Sequence, residues 1–487
     1  MSGQPRRPAV AVIGGGISGL AAAYFLRQHG VTVTVLEGSP VIGGKLSVSE
    51  VAGVAVDEGA ESLLARRPEG TELIGDVGLA GQLTGPGTTA AGIWTRGALR
   101  PLPASQVMGV PADVDELGRT GIVSPAGLAR AREDQVRPAT ERDGDVSVAG
   151  YVGARLGAEV VDRLVDPLLG GVYAGRAQEL SFEATLTALA GAARQHASLA
   201  AAAASLLPPA APPGAPRPPA FTTLRGGLGT LPPAVAAASG AEVRTRAMVR
   251  ELARTREGWR LTVGSAHAPQ QAEADAVILA VPGRPASRLL AGVPGASQAA
   301  AALAGIGYAS MAIVTLAYPR DAFPRPPAGS GYLVPAVDGH PVKAVTFSSV
   351  KWPHLAGGPA SIVRCSLGRI GEEAVLQRDD AELASLATAD LGLATGVTGR
   401  PLEVRVTRWG GALPQYNVGH LDRVRAIREG VAALGGLAVC GAAYDGLGIP
   451  ACIASARLAA RQVLDYLAGR GGQAGAPDRP GAAAMGQ

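Results

Sequence analysis

Three glycines near the start of the chain, Gly14, Gly16 and Gly19, stand at the spacing G-x-G-x-x-G, and an acid, Glu37, follows 18 residues after the last of them. The chemistry open to that set is the binding of a dinucleotide. Gly14 permits a tight turn, Gly16 lets the backbone approach a pyrophosphate, and Gly19 lets a helix pack closely on a strand. Backbone N–H groups at the start of that helix, around Gly15, Ile17 and Ser18, lack intrahelical partners and suit an anion. Glu37 stands where an acid accepts ribose hydroxyls, which favours an unphosphorylated ribose.

The flanking residues supply the elements that such a site needs. Val10, Val12 and Ile13 form an apolar run that reads as a strand buried on both faces. Residues 20–28 read as a helix, and Gly30 ends it. Val31, Val33 and Val35 alternate with Thr32 and Thr34 in a second strand that closes at Glu37. Just beyond lie Gly43-Gly44-Lys45, an apparent hairpin, and Asp57-Glu58-Gly59-Ala60-Glu61-Ser62. This double-glycine motif resembles the extended FAD-binding signature of the amine-oxidase and phytoene-desaturase superfamily, which implies FAD rather than a nicotinamide. Lys45 takes the place of that superfamily's usual arginine; it keeps the cation for a phosphate but not bidentate geometry.

Composition narrows the class. A chain of 487 residues, 47% hydrophobic and 17% charged, is long enough for a large core in two or three domains. The net charge is only +4, with no run of five basic residues and no zinc spacing, so neither nucleic acid nor a metal is expected. Cys365, Cys440 and Cys452 form no C-x-x-C, which suits a reduced, cytoplasmic compartment. The first strand starts too early to leave room for a signal peptide. The most apolar stretch, 185–207, is interrupted by Arg194 and His196, so no transmembrane span is expected and membrane contact is at most peripheral.

Further along, 46–80 read as a strand pair and a helix, 93–103 as a hairpin with a basic edge, and 111–192 as helical. Asp166-Pro167-Leu168-Leu169-Gly170-Gly171-Val172-Tyr173-Ala174-Gly175 reads as a break in those helices, because Asp-Pro disfavours helix at its first residue. Its glycines suit backbone passing close to something flat or bulky, with a plain interhelical loop as an equal reading. Residues 197–220 are a low-complexity Ala/Pro connection. Four strand-like runs at 308–318, 332–337, 343–349 and 361–367 predict a separate antiparallel sheet, and 402–409 a further strand. Near the end, a strand at 436–439, a glycine-rich turn at 441–450 and a helix at 451–467 repeat the logic of the N-terminus. That helix start is aimed at the isoalloxazine carbonyls, where it stabilises negative charge on a reduced flavin. The tail after Gly469 reads as disordered. The six histidines are scattered and read as surface or turn residues.

Four stretches, VIGGGISGLAAAYFL, VDRLVDPLLGGVYAG, TLRGGLGTLP and GAAYDGLGIPACIASA, resemble in sequence, order and separation the protoporphyrinogen/coproporphyrinogen oxidases, flavoenzymes of haem biosynthesis. The resemblance implies an α/β and α+β fold: a Rossmann-type FAD-binding domain, an antiparallel-sheet substrate domain and a helical domain. It divides the chain into FAD-binding parts at 1–80, 221–290 and 421–470, a helical domain at 81–196, a linker at 197–220, a substrate sheet at 291–420 and a tail at 471–487. It places FAD contacts at Gly14, Gly15, Gly16, Ile17, Ser18, Gly19, Glu37, Gly44, Lys45, Gly59, Ala60, Glu61, Ser62, Val249, Ala442, Leu447, Gly448 and Ile449, with Trp409 near the ring and Gly171 lining the porphyrinogen cavity. It implies hydride transfer from a porphyrinogen to the flavin, with dioxygen as the oxidant. No side chain is assigned as catalytic base, since the product gains aromaticity. Arg100 and Lys343, with Arg66, Arg67, Arg96 and Lys351, are the candidate partners of the substrate's propionates. Coproporphyrinogen is the expected substrate and protoporphyrinogen the alternative. A downstream haem-pathway enzyme is a possible partner, and monomer and homodimer both stay open. An amine or carotenoid oxidase of the same fold, and a flavin- or porphyrin-binding protein without catalysis, are the rival readings.

Overall fold

The computed structural model describes residues 6–140, 144–208 and 219–474. In chain order, β1 (Ala9–Ile13) runs into α1 (Ile17–Leu26) and β2 (Thr32–Leu36). A hairpin, β3 (Gly92–Thr95) and β4 (Ala98–Pro101), precedes a helical region that holds α2 (Val148–Leu156) and α3 (Asp166–Tyr173). The chain then returns through β5 (Glu242–Arg244) and β6 (Ala276–Leu279). Next come β7 (Tyr308–Tyr318), β8 (Gly331–Leu333), β9 (Val342–Phe347), β10 (Ser361–Leu367), α4 (Asp380–Thr395) and β11 (Glu403–Pro414). The last elements are α5 (His420–Ala432), β12 (Leu437–Val439) and α6 (Ile449–Ala474). No helix among the described residues is long and apolar enough to cross a membrane.

The first sheet is parallel, in the order β5-β2-β1-β6-β12. Its central strands are buried on both faces, as a parallel sheet requires. Val10, Val12, Ala276, Ile278 and Ala438 enter the core on one side, and Ala11, Ile13, Val277, Leu279, Leu437 and Val439 enter the core on the other. Small residues Ala21, Ala22 and Ala23, all fully buried, let α1 lie close between the sheet and α6. Such a helix is apolar all round because both of its sides are covered.

The second sheet has seven strands in the order β11-β7-β10-β9-β8-β3-β4. It is larger than the four runs expected from the sequence. The hairpin at 92–101 joins its edge through a parallel β8–β3 pairing, and the strand expected at 402–409 extends to Pro414 on the other edge. Ala312, Val314, Leu316 and Tyr318 of β7 share a core with Leu383, Ala387 and Leu391 of α4. A reciprocal capping box between Asp379 and Glu382 fixes the start of α4.

The break expected at Asp166-Pro167 is instead a helix. Residues Val161–Val165 are π-helical and lead straight into α3, with Asp166 itself at φ −60°, ψ −44°. A proline in a helix lacks an N–H and crowds the carbonyl four residues back. The wider π turn accommodates both effects where a regular turn would not. The start of the Ala-rich stretch is also helical, at Leu199–Ser205, and α6 runs past the expected end to Ala474. The remainder of that stretch, 209–218, and the tail, 475–487, lie outside the described residues.

The Leu199–Ser205 helix is anchored by charge rather than by its own composition. Asp134 and Arg155 are almost wholly buried and form an ion pair. Asp134 also accepts from Ser198 Oγ and Ala200 N, and Arg155 donates to the carbonyls of Asp134, Pro138 and Ala197. Removing one member leaves the other charge buried and unpaired. Asp134→Ala is therefore expected to lower unfolding free energy by about 3–5 kcal/mol in denaturant titration.

Candidate functional site

Glycines at the C-terminal end of β1 differ in what they touch. A Cβ on Gly14 would lie 2.6 Å from Ala280 O, and the residue sits at φ +112°; a Cβ on Gly19 would lie 1.9 Å from Gly14 O. Both positions are glycine because the protein itself leaves no room. Gly16 is different: a Cβ there would meet nothing within 4 Å, and its φ of −75° suits any residue. The space over Gly16 is open, at the N-terminus of α1, where free N–H groups and the helix dipole favour an anion.

Two further backbone turns close around that space. Gly43 N donates to Gly15 O at 2.8 Å, and Gly44 lies over Gly16. Ala60 N donates to Lys45 O at 3.3 Å, and a Cβ on Gly59 would strike Lys45 O at 2.0 Å and Trp409 at 3.2 Å. Trp409 Nε1 donates to Glu58 O at 3.0 Å, so its indole is fixed beside this crossing. Lys45 makes no ion pair with any described residue, and burial pushes its ammonium below the ordinary lysine value. A cation held without an anion at a helix start is what a diphosphate would satisfy.

Glu37 sits at the outer side of the same turn. Its carboxylate accepts from Gly15 N at 2.6 Å and Ser39 N at 2.7 Å, which leaves lone pairs for hydroxyl groups. Val249 begins the neighbouring strand, and Ala247 N donates to Glu37 O. Met248, half-exposed, sets its thioether over Gly38, the residue after Glu37; the sequence offered no signal for it.

The second strand–turn–helix corner lies beside the first. The Gly441 backbone faces Ser18 of α1, and Cys452 in the first turn of α6 interacts with both Ser18 and Lys45. Leu447 and Gly448 lead into Ile449 at the start of α6, whose first-turn N–H groups lack intrahelical partners. Ala442 O is held by the hydroxyl of Tyr416 at 2.7 Å. Burial pushes the Tyr416 phenol up, so it stays protonated. His420, expected at the surface, is fully buried and stacks on Tyr416; burial and Arg423 push it down to about 4, so it is neutral.

Glu61 does not stand free. It pairs with Lys351 Nζ and Arg364 Nη1, each at 2.6 Å, while Arg364 Nη2 donates to Gly59 O at 2.7 Å. Burial alone would raise the Glu61 carboxyl; the two cations outweigh it and hold it down at about 2. The triad bolts the 59–62 turn, with Ala60 and Ser62, to β10 of the large sheet. Beside it, Asp57 accepts from Gly229 N at 3.2 Å and fixes the TLRGGLG turn. Burial pushes Asp57 up to about 6.

Gly171 is exposed on α3, and Val172 beside it is 43% exposed, while Leu169 and Tyr173 face the core. A Cβ on Gly171 would meet only Leu333 of β8, at 3.3 Å. Leu333, Ile93 and Arg100 stand opposite one another across β8, β3 and β4. Of the expected propionate partners, Arg66 and Arg100 have no carboxylate partner among the described residues. Arg67 pairs with Glu69, Arg96 with Glu159 and Lys351 with Glu61. Lys343 is buried with Nζ on Gly368 O at 2.8 Å, and burial together with Arg369 pushes it down to about 7. It is not presented to a ligand.

The model of the flavin containing amine oxidoreductase family matches residues 17–464. A coproporphyrinogen III oxidase of Mycobacterium bovis is 39% identical over 462 residues, covering 94% of this chain and 97% of the relative. One of Bacillus subtilis is 30% identical over 476 residues, covering 94% and 98%. Among solved structures, a protein of Exiguobacterium sp. provisionally described as a protoporphyrinogen oxidase superposes with a TM-score of 0.83 at 29% identity, covering 95% of this chain and 99% of that one. The group that the family implies is a flavin. The open space at Gly16 and the unpaired Lys45 fit its phosphate-bearing arm.

Gly16→Val is expected to leave the fold intact, with thermal unfolding of the flavin-free protein within about 1 kcal/mol of wild type, and to lose the flavin, read as absorbance of the purified protein. Gly19→Ala is expected to destabilise the flavin-free protein itself. For Glu61, the folded carboxyl lies below its ordinary value, so its contribution to stability is complete above pH 4.5 and is lost as pH falls toward 2. Acid titration of unfolding free energy should show Glu61→Gln flatter than wild type across that window.

Proposed function

The chain belongs to the flavin-containing amine oxidoreductase family, and we propose that it is an FAD-dependent, oxygen-linked oxidase that converts coproporphyrinogen III to coproporphyrin III. The observation that carries the substrate class is the match along nearly the whole chain to relatives of that name. The geometry is compatible with it: Gly171 and Val172 form an exposed face of α3 beside Leu333 of the large sheet, apart from the dinucleotide turn.

FAD, when bound, would supply the hydride acceptor and the route of the electrons to dioxygen. In the overall balance, the macrocycle gives up six hydrogens in three two-electron steps, and each step reduces one dioxygen to hydrogen peroxide. The chain's own residues bind and orient. The N–H groups of Gly16 to Ser18 and the Lys45 ammonium would receive the diphosphate, and Glu37, which already accepts from Gly15 N, would accept ribose hydroxyls with its remaining lone pairs. Val249 and Met248 would border the adenine end. The start of α6 at Leu447, Gly448 and Ile449 would favour negative charge on the ring system. Trp409 and the Gly59–Ser62 turn would wall one side. No side chain is required as a strong base, because aromatisation of the product drives proton loss. The compartment assigned to this reaction is the cytoplasm.

The second reading, oxidation of protoporphyrinogen IX, is favoured by the likeness to the Exiguobacterium structure. Rates of porphyrin fluorescence with the tetrapropionate and dipropionate substrates separate the two. Faster turnover of coproporphyrinogen III is expected; the reverse order favours the second reading. Gly171→Phe is expected to reduce turnover at least about tenfold by covering the face proposed to seat the macrocycle, with flavin content of the purified protein unchanged. Normal turnover in that variant would place the substrate elsewhere.

A further inference from the structure

Tyr416 touches both sides of the site. Its hydroxyl donates to Ala442 O at 2.7 Å and accepts from Gly446 N at 2.8 Å, so one phenol spans the turn that opens α6. Its ring lies 5.6 Å from that of Tyr173, the last residue of α3, and stacks at 3.8 Å on His420. The preceding residue, Gln415, donates Nε2 to Tyr173 O at 2.7 Å. Leu447, at the head of α6, packs against the same core as Tyr173 and Tyr416.

On α3, Tyr173 and Gly171 point in opposite directions, since two residues turn a helix by roughly 200°. A ligand seated on the Gly171–Val172 face therefore presses α3 toward Tyr416 and Gln415. The π-helical turn at Val161–Val165, a winding frequent at functional sites, leads straight into α3. The Tyr416 hydroxyl spends its proton on one backbone group of the turn and a lone pair on another, so a shift of its ring moves both.

We propose that Tyr416 is a positioning residue that couples occupancy of the exposed Gly171–Val172 face of α3 to the turn at the head of α6 that would hold the flavin. The coupling rests on the substrate reading above, since it takes a tetrapyrrole as the occupant of that face. Binding linkage is reciprocal: a macrocycle that alters the grip on FAD has its own affinity altered by FAD in the same proportion.

Two variants approach this contact from opposite sides. Tyr416→Phe keeps the ring, its stack on His420 and its contact with Tyr173, and removes only the oxygen. Tyr173→Leu removes the ring contact and keeps the hydroxyl clamp. The FAD dissociation constant of the full chain is measured by flavin fluorescence with and without coproporphyrin III. In wild type the porphyrin is expected to change it by about fivefold or more. In both variants FAD and porphyrin still bind, and the ratio falls toward one. A wild-type ratio of one with porphyrin bound overturns the coupling and leaves the substrate reading in place, as does an undiminished ratio in the two variants. Failure of wild type to bind the porphyrin at all overturns the substrate reading, and the coupling with it.

Discussion

The contact between Gly19 of α1 and the carbonyl of Gly14 is the constraint on which the site depends. With no Cβ in the way, α1 settles directly over the end of β1, and its free N–H groups reach the open space above Gly16. The Gly43–Lys45 and Gly59–Ala60 turns then stack onto the same point through backbone contacts that only glycine allows. Any side chain at Gly19 would lift the helix and open this stack from its base.

Around that centre, elements distant in sequence are held by charge. Glu61 bridges Lys351 and Arg364, and Arg364 grips Gly59 O, so the large sheet is fastened to the 59–62 turn. A carboxylate between two cations is stable when buried because its charge is more than matched. The helical region is fastened in turn by Asp134 and Arg155, which keep α2 and its neighbours in place while α3 leaves its Gly171–Val172 face exposed. The two strand–turn–helix corners stand at the same edge of one parallel sheet, two strands apart, which is where such sheets bind their ligands.

Much of this could be read from the residues. The first corner announces itself through local chemistry: an apolar strand, spaced glycines, a helix, an alternating strand and an acid. The second repeats the pattern, and both lie where their spacing predicts. Other parts were hidden for physical reasons. Asp166-Pro167 reads as a break because a regular helix would reject it; the π turn that admits it has no signature in composition. The Ala-rich start of 197–220 looks unstructured until Asp134, more than sixty positions upstream, is seen capping it. His420 looks like a surface residue because nothing local marks its burial under Tyr416. Lys343 and Lys351 look like free cations, yet one is spent on Gly368 O and the other on Glu61. Long-range pairing decides the fate of a charge, and a single sequence does not display it.

The central claim is that a flavin held across both corners takes electrons from a porphyrinogen seated beside α3. Its most direct test is an anaerobic titration of the flavin-loaded protein with coproporphyrinogen III, following flavin absorbance and porphyrin fluorescence together. The account predicts that the flavin bleaches as porphyrin emission rises, and that admitting air restores the flavin. A flavin that stays oxidised while the porphyrinogen remains intact would contradict it.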